Sequence, residues 1–254
     1  MFVIPQQPGP QRQVFVARVE KRRDLLFFHS CTFPHPLSGA VYTIRMALTL
    51  YVATTNAGKL RDFATAAETH NIILCSVPDL LSLPPVEETA DTFEGNARLK
   101  AEAYSLSLPD AYVLADDSGI EVDALNGAPG VRSARYAADA GMTDSPDAND
   151  NTDVWNNILL LTNLKSVPAF ERIARYRCVL ALAKNGHTLL TANGTLEGVI
   201  LESPRGTGGF GYDPLLYLPE QGLTMAEIDG DLRHQLSHRG RAFRALLPEL
   251  DRLS

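Results

Sequence analysis

Apolar residues in this chain come in short runs separated by turn-forming residues, and the period of each run predicts its element. Leu48 to Thr55 (LTLYVATT) is dense in β-branched and aromatic residues and predicts a strand. In NAGKLRDFATAAETHN, which follows, Leu60, Phe63, Ala64 and Ala67 recur at helical spacing, so a helix opens near Asn56. IILCSV (72–77) is a second strand, and PDLLSLPPVEETAD is a proline-broken connection. Asp91 and Glu94 form a capping pair for a helix with Phe93, Ala97, Ala101 and Tyr104 on one face. AYVLADD (111–117) is a third strand. After the polar loop GMTDSPDANDN, DVWNNILLLTNL predicts another helix. RYRCVLALAK and HTLLTANGTLEGVI form a hairpin about Asn185-Gly186, a pair suited to a tight turn with positive φ at both residues. A glycine-rich loop (PRGTGGFGYDP), a short strand (LLYL) and a helix from about Ser237 through Leu250 complete the chain. Strands alternating with helices, then a hairpin, predict an α/β protein with a mixed sheet.

The 254 residues, 45% hydrophobic and 21% charged, suffice for one large domain or two small ones. A net charge of −7 argues against gripping a nucleic-acid backbone, though not against a small anion held by local cations. Cys31, Cys75 and Cys178 stand far apart, which suggests neither a zinc ribbon nor a disulfide framework and points to a reducing, cytoplasmic setting. No apolar run approaches the roughly 20 residues of a membrane span. Residues 1–45 read differently: a Pro/Gln/Gly start, a basic knot (Glu20-Lys21-Arg22-Arg23) and a second loop-like cluster lack the order of a signal peptide. They are expected to be a disordered extension or a start assigned too far upstream, the functional alternative being a regulatory or docking tail, with residues 46–254 forming the folded domain.

Five segments offer chemistry. In VATTNAGKL, a strand runs into a helix whose first N–H groups are free, a natural place for an anion. Thr54, Thr55 and Asn56 add donors, Ala57 and Gly58 leave the backbone open, and Lys59 adds charge. The glycine and Ser/Thr positions of a P-loop are missing, so the alternative is a plain Asn-capped helix. Asp116 and Asp117 end the third strand; adjacent strand residues face opposite ways, so only one enters a given site. Such a carboxylate can hold Mg²⁺ or orient a water, unless Asp-Asp-Ser-Gly is simply a turn. Glu87 and Glu88 could reach the same metal or belong to a solvated acidic loop. In GTGGFGYDP, Phe210 and Tyr212 offer faces for a base, Gly211 a close backbone approach and Asp213 an acceptor. In RHQLSHRGRAF, Arg233, His238 and Arg239 crowd a helix start, which is electrostatically awkward without an anion nearby. No catalytic triad is evident, and His70 and His187 read as surface residues. Together these suggest a nucleoside triphosphate with Mg²⁺.

The set ATTNAGK, EET, TFEGNA, ADDSG, GAPGVRSARYA, GGFGYDP and SHR, in this order, resembles the inosine/xanthosine triphosphate pyrophosphatase family over about residues 47–250. The resemblance implies an elongated two-lobed α/β fold with a mixed central sheet and a nucleotide cleft. It implies a homodimer that uses Mg²⁺ to hydrolyse dITP/ITP and XTP/dXTP to monophosphate and pyrophosphate, clearing deaminated purines. By similarity, Asp117 is general base and metal ligand, with Glu87 a second ligand and Glu88 the adjacent possibility. Thr54 through Lys59 hold the triphosphate, Ser118 touches substrate, and Phe210 to Asp213 with His238 and Arg239 hold the base and its surroundings. The family usually has lysine where Arg233 stands; arginine keeps the charge with a different shape, which puts base selectivity in question. A pyrimidine-directed, Maf-like pyrophosphatase and a nucleotide-binding regulator without turnover are the competing readings. FGYDP and SHR oppose the first; Asp117 and Lys59 oppose the second.

Overall fold

The computed structural model describes residues 47–68, 70–142 and 152–253. The expected N-terminal extension, with Cys31, and most of the polar loop before residue 152 lie outside the described residues. Seven strands form one mixed sheet in the order β2-β1-β3-β4-β5-β6-β7. β1 (Leu48–Val52) lies between β2 (Ile72–Ser76) and β3 (Tyr112–Val122), parallel to both. From there on every pair is antiparallel: β3 with β4 (Ile173–Lys184), β4 with β5 (His187–Ile200), then β6 (Leu216–Leu218) and β7 (Leu223–Thr224). The β4–β5 turn is the one expected, with Asn185 and Gly186 at φ 51° and 78°.

The described residues also form six α-helices. α1 (Ala57–Ala67) starts at Asn56, whose side chain accepts from the N–H groups of Gly58 and Lys59. α2 (Phe93–Ser105) is capped by Thr92, which accepts from Gly95 N; the cap is not the expected Asp91, because Thr92 is the residue with extended φ and ψ at the helix start. α3 (Tyr136–Asp139) and α4 (Thr152–Asn163) precede the hairpin; α5 (Gly230–Leu236) and α6 (His238–Leu250) close the chain. α1 and α6 cover Leu50, Leu114, Leu180 and Leu182 on one face of the sheet. Further along that face, Leu160 and Leu164 pack with Ile120, Tyr176 and Leu216. α2 covers Ala115, Val179 and Ala181 on the other face. No helix among the described residues is long and apolar enough to cross a membrane. Cys75 and Cys178 are both free thiols.

Two details bear on function. First, β3 does not stop at the aspartates as the sequence suggested; Ser118 and Gly119 stay in the ladder opposite Cys178 and Arg177. Gly119 makes this possible: a Cβ there would lie 2.4 Å from Ser133 Oγ and 2.5 Å from Gly130 O, so the next segment packs directly on the strand. Second, β5 meets α6 at Gly194, where a Cβ would be 2.3 Å from Ala242 N and 2.4 Å from His238 O. The helix backbone rests on the strand backbone.

Candidate functional site

β1 pairs with β3 only as far as Leu114. Beyond Ile120, β3 is bonded on that side by Ser133 and the 128–129 segment. Between those points lies a notch in the sheet, and Asp116, Asp117 and Ser118 sit in it. Beside the notch is a cleft of about 410 Å³, a size that suits a nucleotide-sized ligand. Lys59, Ser118, Phe210, Tyr212, Arg233 and Arg239 line it.

Asp116 and Asp117 face opposite sides of the sheet, as strand alternation requires, and their environments differ accordingly. Asp116 is 4% exposed. Lys59 Nζ lies 2.8 Å from its Oδ2, Ser118 Oγ donates to it at 3.3 Å, and Arg239 Nε approaches to 3.8 Å. Burial alone would raise its pKa, but Lys59, Arg239 and Lys100 win and hold the carboxyl well below the usual carboxylate range. Asp116 thus fixes Lys59 beside the cleft and draws Arg239 at longer range.

Asp117, 6% exposed, points toward α2. Asn96 Nδ2 donates to its Oδ2 at 3.1 Å, and Lys100 Nζ lies 3.4 Å from its Oδ1. The same ammonium is 2.6 Å from Glu88 Oε1. Burial pushes the Asp117 carboxyl up, and Glu88 adds to the rise against the pull of Lys100. Burial would lower Lys100, but Asp116, Asp117 and Glu88 together hold it above its ordinary value. Of the two glutamates it is Glu88 that shares a cation with Asp117; Glu87 is exposed. Two carboxylates that already converge on one positive charge fit a hard, oxygen-seeking cation. Among the described residues no three His, Cys, Asp or Glu side chains are placed to hold a metal ion together. Such a cation would therefore take most of its ligands from phosphate and water, the habit of Mg²⁺.

The far end of the cleft is aromatic. Tyr176 stacks on His238 with ring centroids 4.7 Å apart, and its hydroxyl donates to Asp213 Oδ1 at 2.8 Å. Burial, reinforced by the neighbouring Arg239, holds His238 well below its ordinary pKa, so it is neutral. Both of its ring nitrogens are buried without a partner, two unspent hydrogen-bonding groups beside the cleft. Asp213 accepts from Phe210 N at 3.0 Å, which curls the glycine loop around it. α4 pins that loop from outside: Asp153 accepts from Gly211 N at 2.7 Å and Asn157 donates to Gly211 O at 3.0 Å. The Arg239 guanidinium stands 5.1 Å over the Phe210 ring and donates to Ser118 Oγ at 3.0 Å. Ser237 caps α6 by accepting from Gly240 N at 2.9 Å. The crowded helix start is thus tolerable, because His238 is neutral and Arg239 faces carboxylates.

Most of the residues expected from sequence converge here. Asn56, Gly58, Lys59, Ser118, Phe210, Gly211, Tyr212, Asp213, Arg233, His238 and Arg239 all line the cleft. Thr54, Thr55 and Ala57 belong to the turn at its edge; Thr54 Oγ1 accepts from Asn56 N at 3.2 Å, and Thr55 and Ala57 are exposed. Asn96, Lys100, Tyr176, Asp62 and His234 were not anticipated. For Asn96 and Lys100 the signal existed: they are polar residues four apart, one helical turn, on a helix read only for its apolar stripe.

Comparison with known proteins shows what the chain is similar to. The model of the Ham1 family matches residues 50–249. The chain is 52% identical over 205 residues to the dITP/XTP pyrophosphatase of Acidobacterium capsulatum, covering 81% of this chain and 99% of that protein. It is 47% identical over 201 residues to the enzyme of the same name from Geobacter sulfurreducens, covering 79% and 96%. Among solved structures, a HAM1 protein from Coxiella burnetii superimposes with a TM-score of 0.68 at 35% identity, covering 81% and 99%. A nucleoside-triphosphatase (dITP/XTP pyrophosphatase) from Mycobacterium abscessus gives 0.60 at 35% identity, covering 79% and 100%.

Proposed function

The chain belongs to the Ham1 family, and from that premise we propose that it hydrolyses dITP/ITP and XTP/dXTP to the nucleoside monophosphate and pyrophosphate. The observation that carries the proposal is the notch in the sheet beside β3, where its pairing with β1 has ended. It lets one extended ligand reach both faces of the sheet, with its base in the aromatic cleft and its phosphates beside Asp117.

In this reading the base stacks among Phe210, Tyr212 and the Tyr176–His238 pair. His238 and Arg239 supply polar groups to a purine carbonyl. Donors aimed at a ring carbonyl are left unpaired by adenine, and rejection of that kind reaches on the order of 10⁴-fold. The start of α1, with Asn56 through Lys59, receives the phosphate chain, and Lys59 neutralises charge that develops on the pyrophosphate. Asp117 orients the attacking water and accepts its proton, since Asp116 is already engaged by Lys59 and Asp117 faces the phosphate side. Asn96 and Lys100 fix the rotamer of Asp117. A divalent cation, Mg²⁺ in this reading, would be held by Asp117 and Glu88 and would supply positive charge to the phosphates. The enzyme acts as a homodimer on a small nucleotide, in the cytoplasm.

The test is pyrophosphate release with Mg²⁺ from ITP, XTP, GTP, ATP and dTTP, with Asp117→Asn in parallel. Release from ITP and XTP that falls by about 10²–10⁴-fold in the variant supports the proposal. Release from dTTP alone, or turnover indifferent to Asp117→Asn, overturns it.

A further inference from the structure

The charged network at Asp116 continues past Arg239. Arg239 Nη1 lies 3.6 Å from Asp62 Oδ2 on α1, and Asp62 Oδ1 is bound at 2.5 Å by His234 Nδ1 on α5. Asp62 is 5% exposed. Asp62, His234 and Arg239 come from three different helices and all line the cleft. Charges therefore alternate along Lys59, Asp116, Arg239 and Asp62, and the His234 imidazole closes the series with a hydrogen bond. The catalytic reading gives Asp62 and His234 no part.

Arg239 sits between two carboxylates, 3.6 Å from Asp62 and 3.8 Å from Asp116, both beyond a good hydrogen bond. Its shorter contact is to the Ser118 hydroxyl, at 3.0 Å. Each carboxylate has a closer partner: Lys59 at 2.8 Å for Asp116 and His234 at 2.5 Å for Asp62. A buried carboxylate stripped of its partner takes the nearest donor, since leaving it unsatisfied is costly. Without His234, the nearest donor to Asp62 is Arg239.

We propose that His234 is a positioning residue: by occupying Asp62 it keeps the Arg239 guanidinium turned toward Ser118 and the cleft, where a nucleotide can use it. The bond to Asp62 places the imidazole proton on Nδ1, because a carboxylate only accepts. This inference rests on the reading that the cleft takes a purine nucleotide.

The substitutions His234→Ala, His234→Asn and His234→Gln separate the possibilities in the full-length protein. An asparagine amide carries its donor near the Nδ1 position and a glutamine amide near Nε2. His234 keeps 15% of its side chain exposed and α5 has no buried residue, so the substitutions open no large cavity, and urea unfolding of each variant checks that it is folded. In ITP hydrolysis, Ala is expected to raise KM about tenfold with a smaller change in kcat, the size of one lost charge-assisted hydrogen bond. Asn is expected to recover most of that loss, and Gln little. Recovery by Gln but not Asn overturns the proposal, because Nε2 then serves the nucleotide directly. Wild-type constants in all three overturn it as well. Should the wild-type protein hydrolyse no nucleotide, the functional reading fails, and the inference is tested on Arg239 alone. Its guanidinium Nε–H resonance is then expected to be slowly exchanging in wild type and Asn and altered in Ala; an unchanged resonance in Ala overturns it.

Discussion

Replacing Lys59 by methionine leaves Asp116 charged and without its closest counter-ion. The pair is 2.8 Å apart, with side chains 22% and 2% exposed. Breaking a buried pair by removing one partner typically costs about 3–5 kcal/mol. Arg239 at 3.8 Å and the Ser118 hydroxyl at 3.3 Å remain, and Lys59 is partly solvated, which argues for the lower end. We therefore expect Lys59→Met to destabilise the protein by about 2–3 kcal/mol, or roughly 4–12 °C in Tm for a domain of this size. Asp116→Asn alone should also destabilise, by stranding Lys59. The double variant should recover about 1–2 kcal/mol relative to the sum of the two. The assay is urea unfolding of the nucleotide-free protein near neutral pH, repeated in acid. Asp116 has a depressed folded pKa, so its contribution is complete above its ordinary value of 3.8 and is lost as pH falls toward the folded value. Removing Lys59 relaxes that depression, and the gap between wild type and Lys59→Met should narrow as pH drops through about 5 to 3. Additive single-variant effects, or a gap that does not change with pH, would refute the reasoning. Lys59 would then be a solvated lysine, with Arg239 alone sustaining the buried charge.

Two further outcomes are expected. Gly194→Ala should cost more than about 2 kcal/mol, read by urea unfolding, and should raise KM for nucleotide, because the new methyl strikes α6 backbone rather than a side chain that can turn aside. His238→Gln should flatten the acid limb of stability. His238 is held neutral, so the unfolded chain binds more protons as pH falls through 6.5, and wild type should lose up to about 1.4 kcal/mol per pH unit more than the variant. Parallel stability curves for the two proteins would contradict this.

Local physics made much of this fold legible. Asn56 and Ser237 announced two helix starts through side chains that cap, and Asn185-Gly186 announced its hairpin through left-handed φ. The aspartate pair was harder. Asp-Asp-Ser-Gly reads locally as a turn, and only the close approach of Ser133 and Gly130 to Gly119, a tertiary fact, shows why the strand continues. The expected cap at Asp91 failed by one residue, since Thr92 offers the same chemistry and local pattern cannot separate them. At the site, alternation correctly divided Asp116 from Asp117. Which glutamate joins Asp117 depends on how the proline-rich loop meets Lys100, and no spacing records that. Asp62 and His234 lie 172 positions apart and meet only through packing.

The bare contact at Gly194 has a mechanical consequence. Side-chain interfaces can slip because rotamers repack as one surface slides over another. At Gly194, where α6 lies on β5, there is no side chain to repack. Ser237, His238 and Arg239 therefore ride with the β4–β5 hairpin as a fixed anvil, and α4 bolts the glycine loop down beside them. The facing wall, at the start of α1, is held instead by side chains, Lys59 on Asp116 among them, so any widening of the cleft for a large ligand would have to come from that wall. The rate at which that wall gives way would then govern how long product stays.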